Sequence, residues 1–517
     1  MNYRSTRSNE TVTAEEALLK GLAADGGLYV PEQLPDPFLD ADVLKAMSYE
    51  ELAAFVLHHF LTDITLKDLS KLTHDAYTGT FDTSEIVPVK TLSESFSMAE
   101  MFHGRTCAFK DLALSLFPHL LVYAKKKLGD GKETLILTAT SGDTGKAALE
   151  GFKDVPGVHI MVFYPSHGVS PLQKDQMQKQ LGENVKVLGI EGNFDDAQSA
   201  LKNIFVSDLR DEALEKGVLF SSANSINIGR LLPQVVYYVW IWLSLLRSGS
   251  IGSRESFNVV VPTGNFGNIL AAWIAKKIGT PIGQMICASN ENKVLADFFE
   301  TGEYNINREF HLTESPSMDI LISSNFERFL YYMTGSSDEV LKDMTELREN
   351  GVYRVPEEER KKVSGEMIGG WADSDTMRKA ISDVYEKYDY LMDPHTAVAY
   401  AVYDNLRRSG KVTRHTHTVI ISTAHPYKFP GAVSEALGIA AEENPCDTLR
   451  SIKKYTGIPI PSQLGELENR KKRFTDVINP ENIKESIQVG DVAEHIGRSR
   501  SYLTNKFKKE LGFDVCS

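Results

Sequence analysis

The chain has 517 residues, 42% of them hydrophobic and 24% charged, so whole-chain disorder is excluded and more than one hydrophobic core is expected. Its formal net charge of −14 argues against nonspecific nucleic-acid binding by the body of the protein, although a site for an anionic substrate needs only a few cations. The four cysteines form no C-x-x-C pair and predict neither a disulfide framework nor a zinc site.

The first 95 residues are mixed in charge and are predicted to form a helical region, with a turn at Asp25-Gly26-Gly27. The opening residues, M-N-Y-R, lack the basic-then-apolar order of a signal peptide. We therefore expect a cytoplasmic protein.

Short apolar runs alternate with helical segments from about residue 96 onwards. The runs predicted as strands are 135–137, 158–163, 185–188, 257–261, 285–288 and 419–422. Because no polar residue interrupts these runs, both faces of the strands are expected to be covered, which indicates a mostly parallel sheet with crossover helices. The apolar stretch 231–246 is shorter than the ~20 residues that a bilayer needs and contains Gln234, so we interpret it as a buried helix and expect no membrane association.

A glycine-containing loop, P-T-G-N-F-G-N at 262–268, follows one of the predicted strands and precedes an apolar helix. Glycines let the backbone approach a ligand, and the start of a helix adds unpaired N–H groups and a partial positive charge. The pattern suits a phosphate group. A strand-to-helix loop of this kind is also a common structural connection, so the pattern alone leaves both readings open.

A second loop, T-A-T-S-G-D-T-G-K at 138–146, stands between a predicted strand and a helix predicted at 144–153. It fails as a Walker A motif, because Thr140 stands where a glycine is needed and Ala147 where Ser or Thr is needed. There is no G-x-G-x-x-G motif, so NAD is not indicated. What remains is a hydroxyl-rich loop with one acid, Asp143, which suits either an anion or the cap of the following helix.

Further motifs accompany these loops. They are S-T-R at 5–7, L-A-A-D-G-G-L-Y-V-P at 22–31, F-H-G-R-T-C-A-F-K-D at 102–111, A-N-S-I-N-I-G-R at 223–230, D-P-H-T-A at 393–397 and S-T-A-H-P-Y-K-F at 422–429. In this order, over roughly residues 1–485, the set resembles the threonine synthase family. The resemblance implies an α/β fold of the two-domain fold-type II pyridoxal-phosphate class, similar to tryptophan synthase β, with mostly parallel sheets flanked by helices and with helical additions at both termini.

The resemblance also implies a division of the chain. A helical N-terminal region is expected at 1–95, a cofactor-dependent catalytic region of two α/β subdomains at 96–444, and a C-terminal extension at 445–488. The last segment, 489–517, resembles a single helix-turn-helix of AraC-type regulators, which normally carry two such units. We interpret it as a docking tail or a fused remnant and not as a sequence-specific DNA-binding element.

The cofactor implied by the resemblance is pyridoxal 5′-phosphate. Lys110 is expected to bind its aldehyde covalently and then to move protons, for which burial favours the neutral amine. The expected partners of the cofactor phosphate are the backbone N–H groups of Gly264, Asn265, Phe266, Gly267 and Asn268. Asp143 is expected beside the 3′-oxygen, and Thr423, in preference to Ser422, beside the pyridine nitrogen.

The substrate implied by the resemblance is O-phosphohomoserine. Ser141 and Thr144 are candidates for binding its carboxylate and phosphate. Ser225, Asn227 and Arg230 lie in the motif that resembles the family's phosphate pocket, with Lys174 as a second cation. Arginine suits two-point recognition of a phosphate.

The implied reaction is γ-elimination of phosphate followed by β-addition of water, which gives threonine in the last step of its biosynthesis. Two other functions stay open: a serine/threonine dehydratase-like lyase on the same fold, and a non-catalytic cofactor-binding regulator. The protein is expected to be a monomer or a homodimer. Two departures flank the lysine, since Arg105 stands where the family usually has Pro and Cys107 where a larger apolar residue is common.

Overall fold

A computed structural model describes residues 1–140, 142–166, 169–192, 194–205, 207–413 and 415–479. The chain divides into two compact units. Unit 1 contains Met1–Ala124 and Ser225–Glu468, and unit 2 contains Lys125–Asn224 and the described residues from Asn469 onwards.

The strands of the described chain are short, and most consist of apolar residues. In chain order they are β1 (Tyr3–Ser5), β2 (Thr11–Val12), β3 (Tyr29–Pro31), β4 (Val89–Ser93), β5 (Phe96–Glu100), β6 (Glu133–Ala139), β7 (Val158–Pro165), β8 (Val185–Ile190), β9 (Val218–Ser222), β10 (Phe257–Pro262), β11 (Ile282–Ser289), β12 (Glu303–Asn305), β13 (Val352–Arg354), β14 (Met367–Trp371), β15 (Thr418–Ser422) and β16 (Val477–Ile478).

The helices of the described chain range from 4 to 21 residues. They are α1 (Ala14–Lys20), α2 (Ala41–Leu44), α3 (Tyr49–His58), α4 (Leu66–Tyr77), α5 (Lys110–Leu114), α6 (Phe117–Lys127), α7 (Asp143–Phe152), α8 (Pro171–Gln178), α9 (Phe194–Phe205), α10 (Asp208–Glu215), α11 (Ile228–Ser248), α12 (Gly267–Lys277), α13 (Val294–Thr301), α14 (Phe326–Thr334), α15 (Ser337–Asn350), α16 (Glu357–Glu366), α17 (Ser374–Tyr388), α18 (Pro394–Arg408), α19 (Pro430–Ala436), α20 (Pro445–Thr456) and α21 (Ser462–Gly465). Three 3-10 turns lie at Pro316–Met318, Pro426–Lys428 and Glu466–Asn469.

Unit 1 is built on a six-stranded sheet in the order β14-β11-β10-β15-β5-β4. All pairs are parallel except β4 with β5, which is antiparallel. Every residue of β10, β15 and β5 is buried, as expected for parallel strands that helices cover on both faces. Loops at the carboxyl ends of β10 and β15 therefore meet at one edge of this sheet.

Helix α11 packs against α12, α3 and α5 within unit 1. It is the one helix in the described ranges that is long and apolar enough to cross a membrane, but 94% of its apolar window is buried. The prediction of a buried helix here is confirmed. Asn227 caps its start through the Gly229 N–H, and Gly249 ends it in the left-handed conformation with φ 71°.

The N-terminal region differs in part from the sequence prediction. Helices α1 to α4 are present as expected, but Tyr3–Ser5, Thr11–Val12 and Tyr29–Pro31 form a three-stranded antiparallel sheet. The sequence analysis predicted a helical region and did not indicate this sheet, because strands of two or three residues are too short to show an alternating pattern. Their stability comes from buried side chains such as Tyr3 and Tyr29.

Unit 2 contains a five-stranded parallel sheet in the order β16-β8-β7-β6-β9. Its core is formed by apolar side chains of the strands and of α9 and α10, among them Leu137, Phe163, Leu188 and Leu201. All six strands predicted from the sequence are present. The predicted runs lie within β6, β7, β8, β10, β11 and β15. The helix predicted at 144–153 is α7.

Candidate active site

Lys110 begins helix α5 and is only 8% exposed. The loop that precedes it is hydrogen-bonded to the chain leaving β15. The Phe109 N–H donates to the Thr423 carbonyl at 2.8 Å, and the His425 N–H donates to the Cys107 carbonyl at 3.0 Å. The two motifs at 102–111 and 422–429 are therefore one structural feature, which holds Lys110 beside the carboxyl end of β15.

The lysine loop is also braced from within. The Asp111 carboxylate accepts hydrogen bonds from the Thr106 N–H at 2.8 Å and the Thr106 hydroxyl at 2.6 Å. Burial raises the pKa of Asp111, and the bonds from Thr106 and the charge of Lys428 oppose that rise. A Cβ on Gly104 would lie 2.5 Å from the Asp111 Cβ, so the packing requires glycine at this position.

The two departures from the family pattern take different positions in this loop. Arg105 is exposed, and its guanidinium reaches the Thr80 hydroxyl at 3.5 Å. Cys107 is buried and has φ 58°, a left-handed conformation that costs a non-glycine residue roughly 1–2 kcal/mol. Strain of this kind, three residues before Lys110, is typical of positions that the surrounding structure holds for function.

The loop at 263–266 connects β10 to helix α12. Phe266 has φ 64° and precedes the first helical residue, Gly267, so the backbone turns sharply into the helix. Within the described ranges, none of the N–H groups of Gly264, Asn265, Phe266, Gly267 and Asn268 donates a hydrogen bond. Five consecutive free N–H groups at the start of an 11-residue helix form a strong anion site.

The wall of this loop is formed by the chain around residues 315–325. A Cβ on Gly264 would lie 2.4 Å from the Ser317 carbonyl oxygen, which makes glycine obligatory. The Ser323 hydroxyl donates to the Gly264 carbonyl at 2.6 Å, and the Asn325 N–H donates to the Asn265 carbonyl at 3.0 Å. The Gly264 and Asn265 carbonyls are therefore satisfied, whereas the N–H groups of the loop remain available.

Asn268 adds a side chain to the same loop. Its Oδ1 accepts hydrogen bonds from the Tyr237 and Tyr238 hydroxyls, each at 2.7 Å. Its Nδ2 is buried and has no hydrogen-bond partner in the part of the chain that the structure describes. A buried donor without a partner is costly, and an acceptor on a ligand would satisfy it.

Two hydroxyls lie at the end of β15. The Ser422 hydroxyl accepts a hydrogen bond from Tyr390 at 3.5 Å, and it lies 3.2 Å from the Thr396 hydroxyl oxygen, to which it can donate. Thr423 is 5% exposed, and its hydroxyl has no partner among the residues described. The Thr423 hydroxyl is therefore available to a ligand, and its role beside the pyridine nitrogen remains a prediction.

Three substrate candidates lie at or near the start of α11. Ser225 is half-buried, with its hydroxyl 3.4 Å from that of Ser324, which donates to Asn265 Oδ1 at 3.2 Å. Arg230 is 2% exposed, and burial lowers its pKa to about 10, so it remains charged at neutral pH. Asn227 has a structural role that the sequence analysis missed, since its side chain caps α11 and also donates to the Leu18 carbonyl at 3.0 Å.

The remaining candidates belong to unit 2. Asp143 is buried and accepts a hydrogen bond from Gln173 Nε2 at 2.7 Å. Thr144 is half-buried in the first turn of α7, and Lys174 donates to the Ser166 carbonyl at 3.3 Å. Ser141 lies outside the described residues. The roles of all four in binding remain predictions.

The cap of α7 is supplied by a residue that the sequence analysis did not single out for it. The Thr140 hydroxyl accepts hydrogen bonds from the Gly142 N–H at 2.9 Å and the Gly145 N–H at 2.8 Å. Thr140, and not Asp143, is therefore the group that caps these N–H groups.

Sequence reasoning also missed a buried arginine in unit 1. The Arg328 guanidinium donates to the carbonyls of Tyr29, Ser225 and Ile226 at 3.0, 3.3 and 2.6 Å and to Asn325 Oδ1. It therefore ties the motif at 225–230 to the residue that holds the Asn265 carbonyl. No sequence signal marks Arg328, because most of its partners are backbone carbonyls distant in the chain.

Glu327, the neighbour of Arg328, explains the N-terminal S-T-R motif. Its carboxylate accepts hydrogen bonds from the Thr6 hydroxyl at 2.5 Å and from Arg7 Nε and Nη2 at 2.8 and 2.7 Å. Ser5 donates to the Asp25 carboxylate at 2.9 Å, which joins the motif to the turn at 25–27. The opening motifs thus anchor the N-terminal sheet to α14.

Two histidines, His103 and His425, lie in the two motifs that hold Lys110. Burial tends to lower the pKa of His103, but its hydrogen bonds to Glu100 and Asp82 raise it overall. Burial lowers the pKa of His425 to about 3, with further lowering by the charges of His103 and Lys428. His425 is therefore neutral at physiological pH and is a poor candidate for proton transfer.

Comparison with protein families gives three matches along the chain. Residues 2–77 match the threonine synthase N terminus, residues 84–424 match the pyridoxal-phosphate-dependent enzymes, and residues 396–487 match the threonine synthase C-terminal region. Threonine synthase from Pseudomonas aeruginosa is 37% identical over 484 residues, which cover 93% of this chain and 96% of the relative. The chain belongs to the threonine synthase family. Its cofactor is pyridoxal phosphate.

Solved structures of the family agree with this assignment. Pyridoxal-phosphate-bound threonine synthase from Brucella melitensis has a TM-score of 0.82 and 36% identity, covering 96% of this chain and 99% of that one. The yeast threonine synthase also has a TM-score of 0.82, at 31% identity, covering 95% and 99%. The predicted fold-type II architecture is confirmed. The loop at 264–268 fits the cofactor's phosphate, because it offers free N–H groups and a buried, unsatisfied amide.

Another group of relatives carries a different name. The human protein threonine synthase-like 1 is 38% identical over 473 residues, which cover 89% of this chain. The chain spans 62% of the length of that relative.

Proposed function

We propose that the chain converts O-phosphohomoserine and water to threonine and phosphate. The observation that carries the proposal is the hydrogen-bonded link from Ser225 through Ser324 to Asn265. It joins the motif at 225–230, which ends in a buried cation, to the loop that fits the cofactor phosphate. Two anion-binding motifs side by side suit a substrate that has a phosphate of its own.

In this proposal, residues of unit 1 have separate roles in the reaction. When bound, the cofactor supplies an electron sink for the negative charge that develops at the substrate's α-carbon. Lys110 Nζ takes the proton from that carbon and returns protons later in the cycle. The N–H groups of 264–268 hold the cofactor's phosphate, and the Thr423 hydroxyl orients its ring, as a weaker partner than a carboxylate.

Arg230 and Ser225 bind the substrate's phosphate in this proposal. A guanidinium matches the geometry of phosphate oxygens and remains charged as phosphate leaves from the γ-carbon. Water then adds at the β-carbon, and threonine is released. In unit 2, Asp143, Thr144, Lys174 and Ser141 are assigned to the cofactor and substrate from the motif resemblance alone.

The direct test is a product assay with the purified, cofactor-loaded chain and O-phosphohomoserine. We expect threonine and inorganic phosphate in equal amounts. Ammonia released from serine or threonine, with no phosphate from O-phosphohomoserine, would identify a dehydratase. Cofactor binding without turnover of any of these substrates would identify a regulator. Either result would refute the proposal.

A variant pair assigns the chemistry to one amine. Lys110→Ala is expected to abolish both the visible absorbance band of the lysine-bound cofactor and the turnover. Lys379→Ala, a change at an exposed lysine on α17, is the control and is expected to keep both. A Lys110→Ala chain that keeps the band and the activity would refute the assignment.

A further inference from the structure

The D-P-H-T-A motif at 393–397 has no role in the function described so far. Asp393 is fully buried and caps helix α18, and its Oδ1 accepts a hydrogen bond from the His395 N–H at 2.9 Å. The same oxygen lies 2.8 Å from His395 Nδ1. A carboxylate only accepts, so Nδ1 bears the proton and Nε2 has a free lone pair.

The Nε2 atom of His395 accepts a hydrogen bond from a neighbouring segment. The Ser317 N–H donates to His395 Nε2 at 3.1 Å. Ser317 is the residue whose carbonyl oxygen would lie 2.4 Å from a Cβ on Gly264. The N–H of Ser317 thus bonds to His395, and the carbonyl oxygen of the same residue packs against Gly264, the first glycine of the phosphate loop.

The other end of this segment is also held. Asp319 Oδ1 accepts hydrogen bonds from Asn290 at 2.7 Å and Thr313 at 2.7 Å. Pro316–Met318 forms a 3-10 turn between these attachments. The bond from the Ser317 N–H to His395 joins this turn to helix α18, and it therefore contributes to how far the turn extends toward Gly264.

The opposite side of the motif leads to Thr423, the residue proposed to orient the cofactor ring. The Thr396 hydroxyl donates to Asp393 Oδ2 and accepts from the Thr423 N–H at 3.3 Å, and its oxygen lies 3.2 Å from the Ser422 hydroxyl, which can donate to it. Asp393 therefore lies at the centre of two arms. One ends at Thr423, and the other ends, through His395 and Ser317, at Gly264.

We propose that His395 is a positioning residue for the cofactor's phosphate arm, acting through the Ser317 peptide on the loop that begins at Gly264. It touches neither the substrate nor the reacting atoms. Loss of its acceptor is expected to let the turn at 316–318 shift and to misplace the N–H groups of 264–268. The proposal rests on cofactor binding and is independent of which substrate the enzyme converts.

The test compares two cofactor forms in variants of matched shape. Gln at 395 keeps a hydrogen-bond acceptor at similar reach, whereas Met fills a similar volume without one. For each full-length apo chain, the dissociation constants of pyridoxal 5′-phosphate and of pyridoxal are measured by titration. Pyridoxal lacks the phosphate, so the ratio of the two constants isolates the phosphate's contribution.

We expect His395→Met to lower the preference for the phosphorylated form by about two- to tenfold, the range for one lost hydrogen bond. His395→Gln is expected to keep the wild-type preference. A merely structural histidine would weaken both ligands equally in the Met variant. An unchanged ratio of the two dissociation constants in His395→Met would overturn the proposal. A Gln variant that behaves like the Met variant would also overturn it.

Two further variants keep the test decisive. Should His395→Met fail to fold, His395→Asn retains a donor to Asp393 and is too short to reach Ser317, so it is expected to show the same lowered preference. Gly264→Ala places a Cβ against the Ser317 carbonyl and is also expected to lower it. An unchanged ratio in Gly264→Ala would show that the phosphate binds elsewhere, and the proposal would fail with it.

Discussion

Arg230 lies in the first turn of α11 and remains charged although it is buried. Lysine would keep the charge but lose the planar fork that binds two phosphate oxygens. Arg230→Lys is therefore expected to raise the KM for O-phosphohomoserine about tenfold or more, the effect of one lost charge-assisted hydrogen bond. Its affinity for pyridoxal phosphate is expected to remain at the wild-type level.

Steady-state kinetics and a cofactor titration measure the two quantities. Arg254→Lys, a change at an exposed arginine, is the control and is expected to alter neither. A wild-type KM in Arg230→Lys would remove Arg230 from the substrate's phosphate site.

Residue roles were predictable where a motif and its chemistry coincide. Lys110 and the glycines at 264 and 267 stand out in the sequence, and the structure places the lysine and the loop in the same unit. Asn227 could not be assigned in this way, because a helix cap and a ligand contact use the same amide. The positive φ at Cys107 also gives no sequence signal, since only the surrounding packing imposes it.

At the scale of elements, Arg328 joins helix α14 to β3 and to the loop before α11. Arg328→Met would leave the carbonyls of Tyr29, Ser225 and Ile226 without a donor. Each buried polar group left unsatisfied costs about 1–3 kcal/mol, so the free energy of unfolding is expected to fall by about 3 kcal/mol or more. Urea unfolding checks this, with the exposed Arg348→Met as the control. A wild-type midpoint in Arg328→Met would contradict the account.

Helix α15 carries an acid whose pKa lies near neutrality. Burial, with repulsion from Glu346, Glu359 and Glu339, raises the pKa of Asp343 to about 7, and Lys342 opposes the rise. The folded chain thus holds this proton more tightly than the unfolded chain does. Stability contributed by Asp343 is unperturbed below about pH 4, falls as pH rises toward 7, and stays low above it.

Asp343→Asn removes this penalty. The melting temperature of the variant is expected to exceed that of the wild type at pH 8, by the equivalent of about 1–2 kcal/mol after solvent screening, and by less at pH 5. Glu349→Gln, at an exposed position of the same helix, is the control. An advantage that is equal at both pH values, or absent at pH 8, would contradict the assignment.

Strands were predictable from unbroken apolar runs, and β6, β7 and β10 illustrate this. Strand β14 was missed, because its sequence M-I-G-G-W lacks such a run. A Cβ on Gly369 would lie 2.7 Å from the Ala296 Cα in α13, and one on Gly370 would lie 2.5 Å from Val402 Cγ1 in α18, so both glycines allow helices to pack closely on the strand. Such requirements arise from tertiary contacts and cannot be recognised in a local pattern. The strands β1 to β3 were also missed, because two or three residues are too few to show an alternating pattern.

At the scale of the whole molecule, the net charge of −14 bears on the C-terminal segment. The segment 489–517, predicted to resemble a helix-turn-helix, lies outside the described residues. The acidic chain as a whole should repel DNA. We expect the full-length protein not to retard DNA in a mobility-shift assay at physiological salt. Salt-sensitive, sequence-selective retardation would show that the segment reads DNA.

The sheet architecture could be predicted from the sequence more completely than the boundaries between the two units. Alternating strands and helices predicted parallel sheets, and the five- and six-stranded sheets are parallel apart from the β4–β5 pair. The division of the chain was less accessible. Unit 1 takes residues from both sides of the segment 125–224, and unit 2 also takes residues from Asn469 onwards. Units that alternate along the chain in this way leave no mark in composition or local pattern.

The central claim is that the amine at position 110 binds the cofactor. The most direct measurement is borohydride reduction of the cofactor-loaded chain, followed by peptide mapping with mass spectrometry. We expect the reduced pyridoxyl group on Lys110. A label on another buried lysine, such as Lys146 or Lys428, would contradict it.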